Sequence, residues 1–156
     1  MNWTSTLTQR ASMLIAAIAL TGCASMGGNK PLEVRLSGAQ EVPPVTTSAT
    51  GTGTIRVADD KSVNATIRTQ GLVGVAAHIH EGATGANGPV IVPMDKTGEN
   101  DWSTKPGAKL TDAQYEAYKA GRLYFNVHTA ANKGGEIRGQ IRPTEGGYMR
   151  PSGQAY

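Results

Sequence analysis

Apolar and polar residues alternate with a period of two through much of the chain. Leu32, Val34 and Leu36 interleave with Glu33, Arg35 and Ser37. Val63, Ala65 and Ile67 interleave with Asn64, Thr66 and Arg68, and Leu123, Phe125 and Val127 with Tyr124, Asn126 and His128. Successive side chains on a strand point to opposite faces, so this pattern predicts half-buried antiparallel strands. A last strand runs from Ile137 to Ile141. Turn formers stand between these runs: Asp59-Asp60-Lys61, Gly71, Gly85-Ala86-Asn87-Gly88-Pro89 and Lys133-Gly134-Gly135. Many short strands with frequent turns predict an all-β sandwich or barrel.

One segment breaks the period. Thr111 followed three residues later by Gln114 has the form of a capping box, with Leu110 and Tyr115 at the positions of a hydrophobic staple. Gly121 suits the left-handed position after a helix. The reading is one short helical crossover near residues 111–120, structural in role.

The two ends of the chain do not belong to this pattern. Arg10 precedes an apolar run from Met13 to Leu20, too short for the roughly 20 apolar residues that a bilayer requires. Leu20-Thr21-Gly22-Cys23 follows and resembles the lipobox of bacterial lipoproteins. Residues 1–22 are therefore expected to be a signal peptide, and Cys23 the lipidated first residue of the mature chain. Ala24 after the cysteine is not the aspartate that resembles an inner-membrane retention signal, so an outer-membrane location is expected. Residues 23–31 form the lipidated cysteine and a small, glycine-rich tether. Residues 143–156, with Pro143, Gly146, Gly147, Pro151 and Gly153 and no periodicity, are expected to be a disordered tail. One domain over residues 32–142 remains.

Composition narrows the chemistry. Cys23 is the single cysteine, so no intramolecular disulfide forms. The net charge of +3 falls to +2 once Arg10 is removed, too small a bias for a nucleic-acid partner. At 5% aromatic residues there is no stacking platform for sugars or bases. Nucleophile-elbow, phosphate-loop and helical zinc-protease motifs are all missing from the sequence.

What remains is three histidines. His78 and His80 are two apart in Ala76-Ala77-His78-Ile79-His80, hence on one strand face, with Ile79 turned to the core. His128 falls on the outer face of its own strand, with Tyr124 and Asn126. Each strand leads into a glycine-rich loop able to fold back as a lid. Imidazole is the commonest metal ligand near neutral pH, and three suit copper, with zinc second. Binding by unperturbed histidines weakens as pH falls through about 6.5. Glu81, Tyr124, Asn126 and Glu136 are candidates to support the imidazoles. Met94 is a candidate soft ligand, set against a core role. Arg138 is expected to pair with Glu136, and Glu41 to mark an edge-strand kink before Pro43-Pro44.

Four ordered motifs resemble the CHRD domain, the module first named from chordin. They are Gln40-Glu41-Val42-Pro43-Pro44; His78-Ile79-His80-Glu81-Gly82 with Gly88-Pro89-Val90; Tyr124-Phe125-Asn126-Val127-His128-Thr129; and Gly135-Glu136-Ile137-Arg138-Gly139-Gln140-Ile141. The resemblance runs from about Leu32 to Arg142. It implies an immunoglobulin-like, Greek-key antiparallel β-sandwich in an extracytoplasmic protein. The histidine motifs also resemble, more weakly, those of copper/zinc superoxide dismutase. By that likeness His78, His80 and His128 match three copper ligands. The bridging histidine, zinc ligands and disulfide of that family have no counterpart. Three function classes stay open: a copper-holding envelope lipoprotein, a metal-free interaction or adhesion module, and a dismutase-like copper oxidoreductase.

Overall fold

The computed structural model describes Met1 and residues 30–143. The expected signal peptide beyond Met1, Cys23, most of the expected tether and all but the first residue of the expected tail lie outside the described residues. Eight antiparallel strands form: β1 (Leu32–Ser37), β2 (Thr50–Val57), β3 (Val63–Gln70), β4 (Gly74–Glu81), β5 (Val90–Lys96), β6 (Asp101–Thr104), β7 (Leu123–Thr129) and β8 (Ile137–Ile141). One helix, α1 (Asp112–Lys119), stands between β6 and β7. Its capping box is complete: the Thr111 hydroxyl accepts from the Gln114 amide, and the Gln114 side chain accepts from the Thr111 amide. Among the described residues no helix is long and apolar enough to cross a membrane.

The spatial order of the strands is β1-β2-β3-β6-β5-β4-β7-β8, and the sheet closes on itself. β7 returns past the β4–β5–β6 meander to lie beside β4, which is the Greek-key pattern. Where the sequence suggests two packed sheets, hydrogen bonding makes a single closed one. Closure rests on a short seam, with Ser37 of β1 opposite Arg138 of β8. The interior is filled by side chains of inward parity. Leu36, Ile55, Ile67, Ile79, Leu123, Phe125, Val127, Ile137 and Ile141 are all essentially inaccessible to solvent. Eight strands leave an interior just wide enough for side chains to fill.

The single phenylalanine of the chain, Phe125, occupies space left by a glycine across the barrel. A Cβ on Gly53 would stand 2.6 Å from the Phe125 ring. That position is glycine because the ring takes the volume a side chain would need.

The strictly alternating pattern fails on β4, where His80 is buried beside Ile79, and more fully on β7 and β8, and the failure locates the site. β7 is buried at six of its positions, with only His128 partly open, and β8 is buried throughout. Tyr124, Asn126, Arg138 and Gln140 have outward parity yet are covered. The covering comes from the β1–β2 and β4–β5 connections, which fold over the outer face of β4, β7 and β8. Gly53→Ala should destabilise the barrel by about 1–3 kcal/mol through overpacking against Phe125, read as a lowered melting temperature by circular dichroism. An unchanged melting temperature would contradict the packing described.

Candidate metal centre

The register of β4 against β7 sets the histidines. Ala76 lies opposite His128, His78 opposite Asn126, and His80 opposite Tyr124. All six share the outer face, and His128 is the diagonal neighbour of His78. The small Ala76 opposite His128 leaves the imidazole free to lean towards its partners. The ring centroids of His78 and His80 are 5.5 Å apart, of His78 and His128 5.0 Å, and of His80 and His128 5.8 Å. One nitrogen from each ring falls in a common cluster whose members all lie within 4.8 Å of one another. His80 is buried, while His78 and His128 are half-buried.

Backbone carbonyls decide which nitrogen each ring presents. A carbonyl only accepts, so His80 Nδ1 carries the proton it donates to Gly88 O at 2.9 Å. His128 Nδ1 likewise donates to Lys133 O at 3.0 Å. Both rings then turn an unprotonated Nε2 towards the cluster. His128 Nε2 then accepts from His78 Nδ1 at 3.0 Å, so in the metal-free chain His78 carries its proton on Nδ1 and gives it up to Nε2 or solvent when Nδ1 ligates. His80 Nε2 is buried with no hydrogen-bond partner at all. An unpaired buried acceptor costs about 1–3 kcal/mol, so a bare lone pair at this point calls for explanation.

Burial also keeps the rings neutral. Desolvation, with the neighbouring imidazoles His128 and His80, pushes His78 down to about 4. Desolvation lowers His80 as well, assisted by His128 and Arg138 and opposed by the Gly88 hydrogen bond. His128 is lowered by desolvation against the Lys133 hydrogen bond. The sequence expectation of protonation near 6.5 is therefore corrected downwards, because these rings are covered rather than solvated. The neutral, ligating form persists into mildly acidic solution.

The other candidates separate clearly. Tyr124 belongs to the site: its ring stacks on His80 with centroids 4.9 Å apart and planes inclined by 14°. Its hydroxyl accepts from the Gly88 amide at 3.1 Å, so it also holds the residue that orients His80. Met94 does not belong. It pairs with Ala77 and shares that residue's inward parity, so its thioether is in the core. Glu81 has the parity of Ile79, opposite to the imidazoles, and is half-buried. Glu136 is not a strand residue facing the histidines. It accepts from Thr47 (2.9 Å), Thr129 (2.7 Å) and Asn132 (3.3 Å), tying the β1–β2 and β7–β8 connections together. Those hydrogen bonds, Thr129 first, hold its carboxyl below the usual range.

The expected Glu136–Arg138 pair does not form, because Glu136 is engaged by the loops while Arg138 turns under the β4–β5 connection. Asn126 Nδ2 donates to both oxygens of Glu41, at 2.9 and 3.1 Å. Glu41, expected only to mark a kink, is thus a buried anchor for the loop above β7. Desolvation raises its pKa, against the Asn126 hydrogen bond and the charge of Arg138. The signal missed in the sequence is the Glu41-Val42-Pro43-Pro44 stretch itself, where an acidic residue in an otherwise small, uncharged segment has to find a partner.

The family model of the CHRD domain matches residues 32–141. The chain belongs to the CHRD family. The matched CHRD region contains all eight strands and all three histidines, together with Tyr124, Arg138 and the two loops that cover them. No curated protein and no solved structure matches this chain.

Proposed function

We propose that this CHRD domain holds one metal ion, copper in preference to zinc, through His78 Nδ1, His80 Nε2 and His128 Nε2. We further propose that it does so as a lipoprotein of the bacterial outer membrane, anchored through Cys23, storing, delivering or sensing the metal. The observation that carries the metal reading is His80 Nε2, a buried lone pair without a partner that lies among two further imidazoles. A cation there supplies what the lone pair lacks. Neutral rings with their outward nitrogens fixed by Gly88 O and Lys133 O are the form a metal needs. Copper(II) ranks above zinc in the general affinity order for nitrogen ligands. The fourth position is left to water or to a partner's side chain, since Met94 is in the core.

The half-exposure of His78 and His128 favours a second reading, a dismutase-type copper oxidoreductase, because a small substrate can reach an ion held there. A superoxide assay on copper-loaded protein separates the two. Without metal binding, the interaction-module reading takes their place.

Titration of metal-free protein with copper should give one equivalent bound per chain. His80→Ala and His128→Ala should each weaken binding at least tenfold. Equal affinity in the wild type and the double variant would remove the metal reading. For the anchor, Cys23→Ser should move the protein from the membrane fraction to the soluble periplasmic fraction. A variant that stays with the membrane would show that Cys23 is not the anchor.

A further inference from the structure

The loop from Ala83 to Gly88 has one buried cation beneath it. Arg138 is 1% exposed although its place on β8 gives it outward parity. Its guanidinium donates through Nη1 to Ala86 O at 3.0 Å and through Nη2 to Ala83 O at 3.0 Å and Gln140 Oε1 at 2.8 Å. The same guanidinium stacks on the Tyr124 ring, with Cζ 3.6 Å from the centroid. Gln140 Nε2 adds a donation to Gly82 O at 3.0 Å. The far end of the loop is Gly88, whose amide meets the Tyr124 hydroxyl and whose carbonyl receives the proton of His80 Nδ1. Gly88 sits so tightly on β4 that a Cβ there would lie 1.6 Å from Glu81 O. The loop is thus seated by its backbone, and Arg138 supplies two of the donors that seat it.

We infer that Arg138 is a positioning residue for the histidine cluster: it pins the Ala83–Gly88 loop so that Gly88 O holds His80 in the Nδ1–H tautomer with Nε2 free. This inference rests on the metal reading for its purpose but not for its geometry. A lone imidazole in water favours the other tautomer, with the proton on Nε2, which is useless as a ligand here. The Gly88 carbonyl reverses that preference only while the loop stays down. Arginine is needed because its planar fork reaches two carbonyls and a side-chain amide at once, whereas lysine offers a point charge. Nothing else on β8 reaches both Ala83 O and Ala86 O.

The direct test is the tautomer of His80 in metal-free protein, read from long-range proton–nitrogen NMR correlations on nitrogen-15-labelled full-length protein. Wild type should show His80 protonated on Nδ1. Arg138→Met keeps the length and apolar packing on Tyr124 but has no donor. It should show mixed tautomers at His80, an unchanged Nδ1–H tautomer at His128, and copper affinity reduced roughly 10–100-fold, the usual effect of removing a residue that orients a ligand. Arg142→Met serves as the control. It loses only the exposed bond to Thr84 Oγ1 on the same loop and should leave both readouts unchanged. Arg138→Lys, which keeps the charge over Tyr124, covers the case in which Arg138→Met does not fold, and should show the same mixture to a lesser degree. The inference is overturned if wild-type His80 carries its proton on Nε2. It is equally overturned if a folded Arg138 variant retains the Nδ1–H tautomer and wild-type copper affinity. Copper failing to bind any of these proteins, with the tautomer shift intact, would instead count against the metal reading alone.

Discussion

The structure depends on one constraint: the outer face of β4, β7 and β8 is covered by loops, and loop backbone has no ladder to satisfy it. Every carbonyl brought down onto that face needs a donor, since a buried unpaired one costs more than a formed bond returns. Arg138 and Gln140 meet this need for the β4–β5 connection, and the Tyr124 hydroxyl accepts from its Gly88 amide. On the β1–β2 connection Asn87 donates to Val42 O, Asn126 donates to the buried carboxylate of Glu41, and Glu136 ties the far end to the β7–β8 turn. The histidines are part of the same arrangement. His80 and His128 each spend one nitrogen on a loop carbonyl. What distinguishes them is the other nitrogen, which for His80 has nothing to bond. Among the described residues Trp102 Nε1 and Asn126 Oδ1 are also buried without a partner, but His80 Nε2 is the bare atom that stands among two further imidazoles, and that is the physical basis for reading the cluster as a site.

Covering the face also sets the electrostatics. Three imidazoles at a solvated surface would titrate near neutrality. Under the loops they stay neutral, because desolvation is the largest influence on each of them. The nearby positive charge of Arg138 works in the same direction on His80. The cluster is therefore held as a neutral set of nitrogen donors without any carboxylate in it, a composition suited to copper or zinc rather than to calcium or magnesium.

Much of this was legible in the sequence because side-chain parity is a local property. Alternation about Ile79 and Val127 puts His78, His80 and His128 on outer faces, and the register of β4 against β7 then brings them together. The capping box at Thr111 and Gln114 located α1 for the same reason. Other elements were hidden. β2 carries Gly51 and Gly53, which weaken the strand signal, and the reason for Gly53 is Phe125, 72 positions away in the chain and adjacent only once the barrel closes. Parity also could not reveal that outward residues such as Arg138 and Asn126 are buried, since that depends on loops crossing from distant parts of the chain. Met94 was ambiguous until its pairing with Ala77 fixed it on the inner face. Glu136 and Arg138, two residues apart, invite an ion pair, yet each is claimed by a different loop.

The most direct measurement of the central claim is an anomalous difference map, collected at the copper absorption edge, from crystals of copper-loaded protein. The account predicts one peak, bounded by His78 Nδ1, His80 Nε2 and His128 Nε2, with the Gly88 and Lys133 carbonyls still bonded to the opposite nitrogens. A peak at other residues, or coordination through His80 Nδ1 with the β4–β5 loop displaced, would contradict it.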